Sequence, residues 1–208
     1  MRFHVGRVPP NPDFHPKRDG WRRMNEPSDG AFISQATLYG VIAAIAFSYW
    51  LSSLPSSDPD AGRIVINTST ITLIGMLKAL AILIGGFIAL VIVHESIHLL
   101  LHPGFGFTKD SIAGIIPRWG AFYACYDNAI TRNRFLLMVA APFVILSVIP
   151  AIIASFIGQP PLWLSMFIII NALFSGGDIT SIGLFLKATP SHALLRQQAW
   201  EFYWRPRE

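Results

Sequence analysis

Residues 79–101 read ALAILIGGFIALVIVHESIHLLL, and the ionisable side chains in this stretch are His94, Glu95 and His98. About 20 apolar residues in a helix are enough to cross the hydrocarbon core of a bilayer. The stretch is therefore predicted to be a transmembrane helix. Ionisable groups inside such a helix are costly and usually mark a functional site.

Three further apolar segments are long enough to cross a membrane, namely residues 31–51, 135–157 and 162–186. Asp178 is the single charged residue in the last of them. We therefore predict an all-α polytopic membrane protein with four transmembrane helices. The predicted organisation is an N-terminal segment (1–30), a membrane domain (31–186) with a catalytic core (79–186), and a tail (187–208).

The overall composition supports a membrane protein. Hydrophobic residues make up 52% of the 208 residues and charged residues 13%, whereas soluble domains carry about 25% charged residues. A soluble enzyme, a disordered tail and a DNA-binding domain are therefore poor fits. The net charge of +4 is not arranged as a basic stripe, so we expect a lipid bilayer and no nucleic acid as partner. The single cysteine, Cys125, excludes an internal disulfide.

The distribution of lysine and arginine predicts the orientation, because cytoplasmic loops are enriched in these residues. Residues 1–30 contain six of them, and residues 102–134 and 187–208 contain four each. The connection between the first two helices contributes Arg63, and Lys78 lies at the outer end of the second helix. Both termini are therefore expected in the cytoplasm.

The segments outside the predicted helices give weaker signals. The 102–134 connection contains two short apolar runs, 112–116 and 121–126, which predict a small β-element or else a re-entrant or surface loop. Residues 192–204, HALLRQQAWEFYW, predict an amphipathic helix, either lying on the inner membrane surface or packing against other cytoplasmic segments. The proline-rich N-terminal segment is expected to have little regular structure.

His94-Glu95-Ser96-Ile97-His98 matches the HExxH pattern. Residues i and i+4 face the same side of a helix, so both imidazoles can bind one Zn²⁺. The glutamate next to the first histidine can then act as general base towards a metal-bound water. The pattern predicts a zinc site with Glu95 as the catalytic residue.

A catalytic zinc usually has three protein ligands, and Asp178 is the natural third. It is predicted to lie at a depth in the membrane similar to that of the two histidines. Alternatively, Asp178 caps or pairs locally near Gly176 and Gly177. A second alternative is a metal one turn lower, at His98 and His102. That site would leave Glu95 without a role, so His102 is interpreted as an interfacial residue.

The segments VIVHESIH (91–98) and NALFSGGD (171–178) resemble the site-2 protease family of intramembrane zinc metalloproteases. The chain is also similar to a compact bacterial family described as putative zincin peptidases. The resemblance covers residues 79–186. It departs from the family pattern where Phe174 stands in place of the motif proline and Ile179 in place of the glycine after the aspartate.

The resemblance implies Zn²⁺ bound by His94, His98 and Asp178, with Glu95 as the base. Asn171 matches a motif asparagine that holds substrate or stabilises the oxyanion, although it could instead be a buried residue bonded to a neighbouring helix. The implied function is hydrolysis of peptide bonds in or near the bilayer of a bacterial inner membrane. The substrate would be a transmembrane or membrane-proximal protein. The alternative is a non-catalytic metal-binding membrane protein, a regulatory pseudoprotease.

Overall fold

The apolar segments form long helices. The computed structural model describes residues 1–56, 73–119 and 121–207. Within these residues, three helices are long and apolar enough to cross a membrane: α1 (Asp29–Ser52), α2 (Leu73–Leu100) and the composite helix Arg132–Ile157. The helices predicted over 31–51, 79–101 and 135–157 are thus present, with shifted ends. Arg63, which was used to predict the orientation, lies outside the described residues.

The composite helix has three parts. α3 (Arg132–Phe143) is followed by a π-helical segment, Val144–Val148, and then by α4 (Ile149–Ile157). Pro142 lies inside α3 and removes one backbone donor there. A π-helical segment widens the turn locally and often occurs at functional sites.

The fourth apolar segment is a bent pair of helices. α5 (Leu162–Phe174) and α6 (Gly176–Ala188) meet at Ser175 with a bend of 41°. The described residues therefore contain three candidate spans, or four if this pair counts as one. The span predicted over 162–186 is thus present as two helices joined at a bend, and the count of four spans holds only if this pair is one span.

The bend is packed closely against α1. A Cβ atom on Gly176 would collide with the Ala36 carbonyl oxygen and lie 2.8 Å from the Gly40 backbone nitrogen. A Cβ atom on Gly40 would collide with the Leu173 carbonyl oxygen. The two glycines allow the backbones to touch, and this contact fixes the start of α6, where Asp178 lies.

The fold is mostly helical, but the prediction of an all-α class needs correction because two small sheets are present. Their strands are β1 (Arg2–Val5), β2 (Arg22–Arg23), β3 (Ser111–Ile116), β4 (Ala121–Tyr126), β5 (Ile130–Thr131), β6 (Ala193–Gln198) and β7 (Glu201–Pro206). One sheet has the order β1-β3-β4, with β1 parallel to β3. The other, β2-β7-β6-β5, is antiparallel throughout.

The predicted β-element between the second and third helices is present as the β3–β4 hairpin. The helix predicted in the tail is wrong, because residues 193–206 form the β6–β7 hairpin. Ala193 and Leu195 are buried while Leu194 is only partly buried, which is the two-residue period of a strand. The turn places Ala199 at a φ of 53°.

The N-terminal segment is more ordered than expected. It supplies β1 and β2 and buries Phe14 and Met24. Met24 packs with Phe185 of α6 and Leu195 of β6. This cluster ties the segment and the tail hairpin to the end of α6, on the side where the metal-site residues are found.

Candidate metal centre

The site begins with three side chains on one face of α2. His94 and His98 are one helical turn apart, and their ring centroids are separated by 5.0 Å. One ligand atom from each of His94, Glu95 and His98 falls within 4.8 Å of the others, so this group could hold a metal ion. The HExxH spacing therefore brings its three functional groups together through helix geometry alone.

Asp178 approaches the two histidines from α6. Its Oδ2 lies 3.1 Å from His94 Nε2, and its Oδ1 lies 3.5 Å from His98 Nε2. The carboxylate therefore faces both imidazoles, as expected of a third ligand. The first residues of α6 bring it there after the bend at Ser175.

The other nitrogen of each histidine is also engaged. His94 Nδ1 donates to Asn171 Oδ1 at 2.9 Å, and His98 Nδ1 donates to the Met138 carbonyl oxygen at 2.8 Å. A carbonyl oxygen can only accept, so each Nδ1 carries the proton. In a neutral ring Nε2 then carries no proton, so its lone pair is free to bind a metal. Both Nε2 atoms face the Asp178 carboxylate.

This donor set fits a zinc ion. Two nitrogen lone pairs and a carboxylate repel one another unless a positive charge lies among them. Ligand atoms at about 2.0–2.1 Å from a tetrahedral zinc are roughly 3.3 Å apart. The carboxylate places one oxygen near each ring, with Oδ2 at 3.1 Å from His94 Nε2 and Oδ1 at 3.5 Å from His98 Nε2, which are separations of similar size.

Asn171 was expected, from the resemblance, to hold substrate or an oxyanion. In the structure it is completely buried, and its Nδ2 donates to Ser147 Oγ at 2.8 Å and to the Pro142 carbonyl at 3.3 Å. With His94 on its Oδ1, both ends of the amide are occupied. A side chain without exposed atoms cannot reach a substrate, so Asn171 fits the alternative of a buried residue bonded to its neighbours.

His102 is not part of the candidate group of His94, Glu95 and His98 among the described residues. It was expected at the membrane interface, but it is buried, with its ring against Tyr126 and its Nδ1 near Ser111 Oγ. Burial, and to a smaller extent the charges of His98 and Arg134, lower the pKa of His102 to about 4. It is therefore a neutral histidine beneath β4.

A cavity of about 370 Å³ leads to the site. Its lining includes Glu95, His98 and Asp178 together with Tyr123 of β4 and Arg196 of β6. The walls supplied by the tail were missed because this segment was interpreted as a helix. The Met138 contact was also missed, although a proline four residues later is a signal that a carbonyl in the helix has lost its partner.

An HExxH helix joined by a carboxylate from another helix is the metal-binding arrangement of a zinc metallopeptidase. A family model described as "Putative zincin peptidase" matches residues 87–194, just over half of the chain, and the chain belongs to this family. The family implies zinc as the cofactor, and the His94–Glu95–His98 group could bind it. No curated protein and no solved structure matches the chain.

Proposed function

We propose that this protein is a membrane-embedded zinc metalloprotease that hydrolyses a peptide bond in or near the bilayer. The observation that carries the proposal is the convergence of His94, His98 and Asp178 from two apolar helices, with Glu95 beside them. Polar groups buried in apolar surroundings need a compensating partner, and a metal ion provides one for all three ligands.

His94, His98 and Asp178 would hold the zinc. When bound, zinc would act as a Lewis acid that polarises the scissile carbonyl and lowers the pKa of a water molecule. Glu95 lines the cavity beside these ligands, so it can receive the proton of the attacking water. Glu95 then delivers that proton to the leaving amine. General acid–base catalysis of this kind contributes typically about 10²- to 10⁴-fold.

The cavity suggests how a substrate reaches Glu95. β4 is an edge strand of its sheet, and several of its residues line the cavity together with Glu95 and His98. An extended peptide can add to an edge strand through backbone hydrogen bonds. We propose that β4 binds the unwound substrate segment in this way.

The depth of the site favours a bond close to the membrane surface. His98 lies two residues before the end of α2 at Leu100, and residues of β4, β6 and β7 form part of the cavity lining. At a rise of about 1.5 Å per residue, the ligands lie within about two turns of the helix end. The proposed substrate is therefore a transmembrane or membrane-proximal protein.

The proposed mechanism, with a zinc ion and Glu95 as general base, is the one that the resemblance to site-2 proteases implies. Phe174 and Ile179 depart from the motif of that family. The bend at Ser175 nevertheless brings Asp178 to the histidines. The motif proline is therefore not required for this contact.

We further propose that the protein lies in a bacterial inner membrane with residues 1–30, 102–134 and 187–208 in the cytoplasm. The lysine and arginine distribution supports this orientation. Reporter fusions at Asp60 and at the C-terminus test it. An external signal at Asp60 with a cytoplasmic signal at the C-terminus is expected, and the reverse pattern contradicts the orientation.

The decisive experiment replaces Glu95 with Gln, which keeps the size of the side chain but removes the base. We expect the variant to bind about one zinc per chain and to lose cleavage of a transmembrane test substrate by at least about 10²-fold. Both quantities are measured on wild type and variant in the same detergent. Full activity in the variant refutes the role of Glu95. Zinc in both proteins with cleavage in neither, over a broad substrate panel, favours a non-catalytic metal-binding protein.

A further inference from the structure

Pro142 has a consequence for His98. Proline lacks a backbone N–H, so the helical hydrogen bond from residue 142 to the carbonyl of Met138 cannot form. That carbonyl instead accepts from His98 Nδ1 at 2.8 Å. A proline inside a membrane helix thus leaves a backbone acceptor for a metal-site histidine.

Ser147 has a corresponding consequence for His94. It lies in the π-helical segment, is completely buried, and donates its hydroxyl proton to the Ile168 carbonyl at 2.9 Å. Because that proton is used, the Ser147 oxygen acts as acceptor for Asn171 Nδ2 at 2.8 Å. The Pro142 carbonyl, which can only accept, is a second partner for Nδ2 at 3.3 Å.

These two acceptors fix the orientation of the Asn171 amide. Its nitrogen must face Ser147 and Pro142, so its oxygen must face His94. An oxygen in that place requires His94 Nδ1 to carry the proton and leaves Nε2 free to ligate. Hydrogen bonds of this kind to the far nitrogen of a ligating histidine set its tautomer and ring orientation.

We propose that Asn171, Ser147 and Pro142 are positioning residues that hold His94 and His98 as Nδ1–H tautomers with both Nε2 atoms directed at the metal. The inference rests on the proposed zinc site and assigns Asn171 a role other than substrate or oxyanion contact. The two histidines are held differently, because His94 depends on a side-chain relay and His98 on a backbone carbonyl.

The first test compares Asn171→Leu with Asn171→Asp in the full-length protein in detergent, using zinc alone as the probe. Leu removes the acceptor for His94 at similar volume, and zinc affinity measured by chelator competition should fall about 10- to 100-fold. Asp keeps an acceptor oxygen for Nδ1, but its second carboxyl oxygen can donate to Ser147 or Pro142 only when it is protonated, so we expect it to recover part of the affinity. Equal loss in both variants would indicate a packing role and overturn the inference.

The second test uses a matched pair of buried hydroxyl groups. Ser147→Ala removes a partner of the Asn171 amide. Thr189→Val removes a buried hydroxyl that donates to the Phe185 carbonyl, beyond the end of α6 and away from the bend. We expect Ser147→Ala to lower zinc affinity several-fold and Thr189→Val to leave it near wild type. Equal affinities for the two variants would contradict the relay.

A tautomer measurement gives a readout independent of activity. With ¹⁵N-labelled histidine, His94 should show the Nδ1–H form in wild type and a mixture of forms in Asn171→Leu. Wild-type zinc affinity and an unchanged tautomer in Asn171→Leu, with cleavage lost, would return Asn171 to a substrate role. Failure of wild type itself to bind zinc would refute the proposed function instead, so the two failures are distinguishable.

Discussion

The two helical regions that form the metal centre are held in place in different ways. Of the residues of α2, all of which the structure describes, Leu90 alone is buried. The region around the α5–α6 bend is tightly packed, with Ala172, Ser175 and Gly176 buried against α1 or the other helices. The histidines are therefore placed by the geometry of one helix, whereas Asp178 is placed by tertiary contacts.

The two regions therefore contribute to the geometry of the metal site in different ways. α2 can present His94 and His98 in the same relative geometry wherever it lies, because their spacing is a property of the helix. Asp178 reaches them only if α6 begins at the right place. We therefore expect local changes in α2 to affect chemistry, and packing changes at the bend to affect assembly of the site.

The largest effect is expected from removing the ligand that depends on packing. Asp178→Ala should lower zinc affinity by more than about 100-fold, because losing a ligand should exceed the 10- to 100-fold cost of losing an outer partner. His102→Ala, measured on its folded fraction, should keep about one zinc per chain. Zinc content and chelator competition on both variants check this. Loss of zinc in His102→Ala but not in Asp178→Ala would place the metal one turn lower.

The sequence predicted α2 and the grouping of its His-Glu-His side chains because both depend on short-range patterns. Apolar length predicts a long helix that is compatible with a membrane span, and the i, i+4 spacing places His94 and His98 on one face. These features need no knowledge of how the helices pack. Asp178 does contact both histidines, while its role as a zinc ligand stays a prediction.

The features that could not be predicted depend on long-range contacts. The orientation of the Asn171 amide is set by Ser147 and Pro142 on another helix. The tail forms a hairpin because Leu195 packs into a cluster with Met24 and Phe185, which lie far away in sequence. Over so short a run, helical and strand periodicity are ambiguous, so tertiary packing decides between them.

The second prediction concerns His102, which is buried just beyond the end of α2. Burial lowers its pKa to about 4 from the usual 6.5. Between these values the unfolded chain binds more protons than the folded chain, so stability rises with pH. Above pH 6.5, His102 should therefore not lower the free energy of unfolding. On acidification to pH 4 it should lower the free energy of unfolding by up to about 3 kcal/mol.

Unfolding of wild type and His102→Gln in detergent, measured between pH 7 and pH 4, checks this expectation. Gln does not titrate, so the variant should show a shallower loss of stability on acidification even if it is less stable at pH 7. Parallel pH profiles for the two proteins would show that His102 is not the group responsible.

The smallest effect, and the sharpest test of the comparison, comes from two adjacent glycines at the start of α6. A Cβ atom on Gly176 would collide with α1, whereas a Cβ atom on Gly177 meets nothing within 4 Å. Overpacking costs typically about 1–3 kcal/mol, so Gly176→Ala should destabilise the protein by about 2 kcal/mol. Because the bend must shift, Asp178 should move and zinc affinity should fall.

The control is Gly177→Ala, which should keep wild-type zinc affinity. Its effect on stability should be neutral or stabilising by up to about 1 kcal/mol, since Ala favours helix over Gly. Thermal unfolding and chelator competition on both variants decide the matter. If Gly176→Ala loses stability but binds zinc normally, the position of Asp178 does not depend on the α1 contact, and the contrast between the two helical regions fails.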